Sequence, residues 1–321
     1  MPTRIPQPLG TLISITKFLM KRGWMPGPAS VLRKPHLERL ERVSPTIACK
    51  PGDKSIQTQD VRVQGRGGPI PARFYSRPGT QPGAPAYLFI HGGGFIDGGI
   101  DFCDNVQRGI AARTGWVVVA LSYRLAPEHP FPAGLEDCED VLRWMAETRP
   151  GGLDPERIAV GGESAGANLT VALCLSVRDN NGPRIAHQWV VYPFADTSLL
   201  SPGWESGLMP GIDRSMGEFM VRVYAGEEHA QNPLIDLVRA DLRGLPPALV
   251  ITCGHDVLRE DGELLVKELQ SAGVDTQHTH LDDMPHGYLM FNRLTKRSDE
   301  SIDQLVGEVQ KRFGRARASL A

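Results

Sequence analysis

Serine, glycine, aspartate and histidine occur in this chain in an order that suits acyl transfer. Residues 159–168 read AVGGESAGAN, so Gly162, Ser164 and Gly166 fall as G-x-S-x-G. A serine hydroxyl is a weak nucleophile until a base takes its proton, and it must stand clear of the backbone to reach a carbonyl. The apolar run RIAVGG ends just before Ser164 and the helical pattern ANLTVALCLSV follows it. A nucleophile elbow requires this strand-to-helix turn, with glycines leaving no Cβ to clash in it. The motif alone also fits a plain glycine-rich turn, so its partners decide.

HGGGF at 91–95 follows another apolar run, AYLFI. Glycines let backbone amides approach a substrate oxygen, which makes the N–H groups of Gly93, Gly94 and Ala165 the expected oxyanion donors. His91, at a strand end before these glycines, is expected to hold the loop by hydrogen bonds. The acid and the base should follow the serine in that order. Asp256 comes just past PALVITCG, and His286 follows the strand TQHTHL through DDMP. Both occupy loops after strands, on the face that bears Ser164. Asp196 also follows a strand and is a rival acid. Glu260, Asp261, Asp282 and Asp283 read as helix-start or surface charges. His278 and His280 share one strand face without a third ligand at metal spacing, and His187 and His229 have no motif around them.

These residues need a rigid scaffold. SIQTQDVRVQ and IPARFYS alternate like an antiparallel pair joined by GRGGP. Five short apolar runs (86–90, 116–122, 157–162, 187–194 and 247–254) read as buried parallel strands. Helical spacing links Leu135, Cys138, Val141, Leu142 and Met145, then Leu169, Ala172, Leu173 and Val177. It recurs through Leu258, Leu264, Leu265, Val266 and Leu269, and over about 299–313. Strand–helix alternation of this kind predicts an α/β fold with helices on both faces of a largely parallel sheet. Residues 197–226, rich in Gly, Met and aromatics, break the rhythm and read as a lid, with the proline-broken helical pieces of 1–50 beside it above the C-terminal sheet edge.

Bulk properties exclude several classes. The 321 residues are 41% hydrophobic and 22% charged with a formal net charge of −2, which gives no electrostatic reason for nucleic acid as a partner. Arg312, Arg315 and Arg317 read as a solvated helix end. Five cysteines (Cys49, Cys103, Cys138, Cys174 and Cys253) form no C-x-x-C, so neither a disulfide framework nor a zinc site is expected. TLISITKFLM is too short and too charged to span a bilayer, and it lacks the pattern of a signal peptide. Leu12, Ile15, Phe18 and Leu19 in it suit an amphipathic helix. The expectation is a cytoplasmic protein with no cofactor, no metal and no stable membrane insertion, compatible with a homodimer.

With HGGGF (91–95), YRLAPEHPFPAGLED (123–137), GGESAGAN (161–168), GLPPALVITCGHDVLREDGE (244–263) and MPHGYLMF (284–291) in this order, the chain resembles the hormone-sensitive lipase family of α/β-hydrolase esterases, over about residues 55–315. The resemblance implies an eight-stranded, mostly parallel α/β-hydrolase sheet with a helical cap. It implies Ser164 as nucleophile, Asp256 as acid, His286 as base, and Gly93, Gly94 and Ala165 as oxyanion donors. Cap helices over 1–50 and an insertion at 197–226 would flank a catalytic core of 51–196 and 227–321. Two departures stand out: Glu163 replaces the more usual Asp or Thr, and Val257 stands where Pro is common. The expected activity is a serine carboxylesterase for short- to medium-chain acyl or aryl esters. Phe95, Ile96, Asp97, Trp204, Met209, Phe219, Met220 and Tyr224 are the expected pocket walls. Lactones and carbamates are alternative substrates. A non-catalytic small-molecule receptor on the same fold is the alternative outside catalysis, and the retained His286 weighs against it.

Overall fold

The computed structural model describes residues 4–14, 49–206 and 212–318. The expected cap helices over 15–48, and Met209, lie outside them. Eight strands form one sheet in the order β1-β2-β4-β3-β5-β6-β7-β8. They are β1 (Gln57–Gly65), β2 (Gly68–Ser76), β3 (Ala86–Ile90), β4 (Val117–Leu121), β5 (Ile158–Glu163), β6 (His187–Val191), β7 (Ala248–His255) and β8 (Thr276–Pro285). β1 and β2 pair antiparallel, and so do β2 and β4. Every other pairing is parallel.

Period-two alternation divides the apolar side chains of the central strands between two cores. Ala86, Leu88 and Ile90 of β3 point to one face and Tyr87 and Phe89 to the other. The first face is covered by α2 (Ala133–Thr148), α3 (Ala165–Asp179) and α5 (Arg259–Ser271). The second is covered by α1 (Asp104–Thr114) and α6 (Arg297–Ala318). A further helix, α4 (Arg214–Tyr224), begins with Asp213 accepting from the Met216 N–H at 3.0 Å, an N-cap that satisfies one of the helix's free amides.

Three details differ from the sequence reading. Helix α1 was absent from it, because DNVQRGIAART buries only Val106, Gln107, Ile110 and Ala111 and its apolar periodicity is weak. β8 does not end at Leu281 but runs on through DDMP to Pro285. Its register against β7 shifts between the pairs Cys253↔Leu281 and His255↔Pro285. Asp261 is not a surface charge. It is buried in the first turn of α5, where it accepts from Ser201 Oγ at 2.9 Å and from the Asp196 N–H at 3.4 Å. Burial, more than any neighbour, pushes its carboxyl up to about 7.

Candidate active site

β3 and β5 are neighbours with Ile90 level with Gly162, so the two glycine-bearing turns leave the sheet side by side. Their backbones touch so closely that a side chain would not fit. A methyl on Gly166 would overlap the Ile90 carbonyl, and one on Gly162 would overlap that carbonyl as well. Between these glycines Ser164 adopts φ 58° and ψ −121°, and its N–H donates to the Val191 carbonyl at 2.9 Å. Such a backbone costs about 1–3 kcal/mol in a non-glycine residue and persists only where its surroundings impose it. The turn presents the hydroxyl at the N-terminus of α3.

Asp256 follows β7 and His286 follows β8. His286 Nδ1–H donates to Asp256 Oδ2 at 2.9 Å, and His286 Nε2 stands 2.9 Å from Ser164 Oγ. Asp256 Oδ1 also accepts from the Leu258 N–H at 2.9 Å, which fixes the carboxylate plane. Burial works to lower the His286 pKa. The Asp256 charge and hydrogen bond, with a smaller contribution from Glu163, more than offset it, so the imidazolium is favoured above its ordinary range. The Tyr192 ring lies against His286, centroids 4.6 Å apart, and limits its rotation.

Gly93 and Gly94 take φ 108° and 63°, a region that favours glycine. The Ile96 and Asp97 amides donate back to the Gly93 carbonyl at 3.1 and 3.0 Å. Among the described residues no backbone carbonyl accepts the Gly93 or Gly94 N–H, and Ala165 contributes one of the amides left unused at a helix start. All three residues line a cavity of about 320 Å³ with Ser164 and His286.

The loop is braced from below. Tyr123 O–H donates to the His91 carbonyl at 3.0 Å and stacks on the His91 ring at 4.3 Å. His91 Nδ1 bonds the Gly92 carbonyl at 2.7 Å, and burial lowers its pKa to about 4, so the ring is neutral near neutral pH. Arg124 and the buried Asp137, at opposite ends of the YRLAPEHPFPAGLED motif, close it through Nε at 3.0 Å and the Arg124 amide at 2.8 Å.

Phe95, Ile96, Asp97, Trp204 and Met220 line the cavity. Tyr224 does not: it is buried behind the wall, stacked on Phe95 with centroids 3.9 Å apart. Phe219 does not either, since one residue along α4 turns it from Met220 toward Arg222, whose guanidinium lies 5.7 Å from its ring. Unforeseen wall residues are Phe102, Phe194, Ile212, Met216, Leu258, Met290 and Phe291. Among the rival groups, Asp196 bonds Ser198 rather than His286. His278 and His280 share the Thr252 hydroxyl, each at 2.8 Å.

A serine at the turn after β5, an acid after β7 and a histidine after β8, on this strand order, define an α/β-hydrolase fold. Residues 87–290 match the family model described by that fold, and the chain belongs to this family, in its hormone-sensitive lipase-like branch. Carboxylesterase NlhH of Mycobacterium tuberculosis is 38% identical over 229 residues, 69% of this chain and 72% of that protein. A hyperthermophilic esterase from the archaeon Pyrobaculum calidifontis superposes with a TM-score of 0.85 at 30% identity, covering 96% of this chain and 99% of that one. An esterase from the bacterial hormone-sensitive lipase family gives 0.82 at 29% identity, covering 97% and 99%. No helix among the described residues is long and apolar enough to cross a membrane.

Proposed function

We propose that this carboxylic ester hydrolase cleaves short- to medium-chain acyl or aryl esters through an acyl-enzyme on Ser164. Ser164 Oγ attacks the ester carbonyl while His286 Nε2 takes its proton. The tetrahedral oxyanion is held by the N–H groups of Gly93, Gly94 and Ala165. His286 returns the proton to the departing alkoxide, then activates water to release the acid. Asp256 keeps the imidazole in the tautomer that presents a bare Nε2 to the serine, and it stabilises the imidazolium. The observation that carries this reading is the unbroken chain of 2.9 Å contacts from Asp256 through His286 to Ser164.

The apolar walls and the 320 Å³ volume suit a small acyl or aryl group rather than a long chain. Residues 197–226 act as part of a cap, since Trp204, Met216 and Met220 from this segment close one side of the cavity.

The test compares p-nitrophenyl esters of increasing chain length with wild type and Ser164→Ala. Loss of the triad serine is expected to lower turnover by about 10⁶. A fluorophosphonate should label wild type once per chain and leave the variant unlabelled. Wild-type turnover by Ser164→Ala would refute the nucleophile, and a preference for long insoluble esters would refute the substrate class.

A further inference from the structure

Glu163 is a carboxylate with no part in the mechanism above, yet it is buried immediately before the nucleophile and lines the same cavity. The pairing of β3 with β5 places it alongside the turn that follows Ile90. There its Oε1 accepts the Gly92 N–H at 2.6 Å. The fit is close: a methyl on Gly92 would overlap both carboxylate oxygens, so residue 92 must be glycine for Glu163 to sit there. One side chain thus ties the elbow to the loop that carries Gly93 and Gly94.

The charge also faces the base. Groups around Glu163 and His286 come from several elements: Tyr192 after β6, Asp256 after β7, Tyr123 after β4 and Cys103 before α1. Burial pushes both phenols and the thiol well up, so they stay neutral. Asp256 and Glu163 are then the two carboxylates that act on the imidazolium, one by direct contact and one through space.

We propose that Glu163 is a positioning residue: clamped on the Gly92 N–H, it fixes the oxyanion loop against the elbow, and its negative charge balances the imidazolium formed on His286. This rests on the acyl-enzyme reading above. Burial raises the Glu163 pKa, with the His286 charge, the Gly92 N–H and the Tyr192 hydroxyl pulling it back. The carboxylate is therefore costly to hold, and the Gly92 N–H, the Tyr192 hydroxyl and, once it forms, the imidazolium on His286 favour it.

Glu163→Gln separates charge from shape, because its amide oxygen still reaches the Gly92 N–H. For that variant kcat should fall about tenfold with KM unchanged, since only the transition state carries the charged base. The acid limb of kcat/KM should move about one unit to lower pH as His286 loses a neighbouring anion. Glu163→Asp keeps the charge but is one methylene short of the amide. It should hold the wild-type acid limb while kcat falls about tenfold or more, as the donors shift. Wild-type kcat and pH profile in Glu163→Gln would overturn the proposal, as would a loss expressed in KM. If Glu163→Gln does not fold, by circular dichroism, Glu163→Asp alone decides, and wild-type kcat there overturns the clamp. Fluorophosphonate labelling separates the two levels. Unlabelled wild type defeats the acyl-enzyme reading, whereas normal labelling with silent Glu163 variants defeats only this inference.

Discussion

Met220 projects from α4 onto the oxyanion loop so closely that its sulfur fills the place a side chain on Gly94 would take. Met220→Ala removes the three heavy atoms beyond Cβ from the cavity wall and opens room for about two methylenes of substrate. Each buried methylene is worth about 0.8 kcal/mol, so the two together give about 1.6 kcal/mol, or roughly fifteenfold in kcat/KM. The assay is kcat/KM for p-nitrophenyl esters from acetate to laurate. The optimum should lengthen by about two carbons, with the longer ester gaining up to that factor. Esters that already fit should lose a few-fold through KM while kcat holds, because a wall contact is made equally in the ground and transition states. An unchanged chain-length profile in a folded variant would refute the placement of Met220 against bound substrate. A collapse of kcat for every ester would instead mean that Met220 supports the loop rather than the pocket.

Asp261 gives a pH dependence with a definite sign. Its folded pKa of about 7 lies above its ordinary 3.8, so the folded chain keeps a proton that the unfolded chain releases. That contribution is fully present below pH 3.8 and is lost as pH rises through about 7. By linkage the loss is roughly 4 kcal/mol. Asp261→Asn, permanently neutral, should flatten this slope in urea unfolding between pH 4 and 8, and an unaltered slope would refute the buried-acid account. Gly166→Ala drives a methyl into the backbone carbonyl of Ile90 and to 2.5 Å from that of His91, where nothing can move aside cheaply. A loss of more than about 2 kcal/mol by thermal unfolding, with activity falling further, is expected; unchanged melting would mean that the elbow is looser than described.

The sequence exposed those parts of the site that backbone geometry dictates. HGGGF and GESAG are legible because close approach of amides and a strained turn demand glycine at fixed offsets. Asp256 is legible as a polar residue placed just after an apolar strand, and His286 as the histidine that follows the next strand in the chain. The pocket was harder to read. Phe102, Phe194, Leu258, Met290 and Phe291 come from four separate connections, and an apolar residue that faces a cavity looks in sequence like one that faces the core. Tyr224 and Phe219 show the reverse error: both lie in the right helix, but position along its turn sends one behind the wall and the other to Arg222. The buried state of Asp261 had no local signal either, since an acid in a first helical turn ordinarily serves the helix dipole at the surface.

The shifted register between β7 and β8 imposes a counting rule. From Cys253↔Leu281 to His255↔Pro285, β7 advances two residues and β8 four. An uninterrupted ladder would set Asp256 beside Met284 and leave His286 about 6.6 Å further along the strand, beyond hydrogen-bonding reach. The slack taken up at Asp282 and Asp283 brings the two groups level. Because the surplus is even, alternation of faces is preserved and His286 still points toward the serine. Deleting that pair of aspartates would remove the surplus and run β8 in an uninterrupted ladder from Leu281, with His286 still level with Asp256. Deleting only one would turn the ring to the wrong side altogether. The parity of the chain between Leu281 and His286, more than its exact length, therefore keeps the histidine on the side of Ser164.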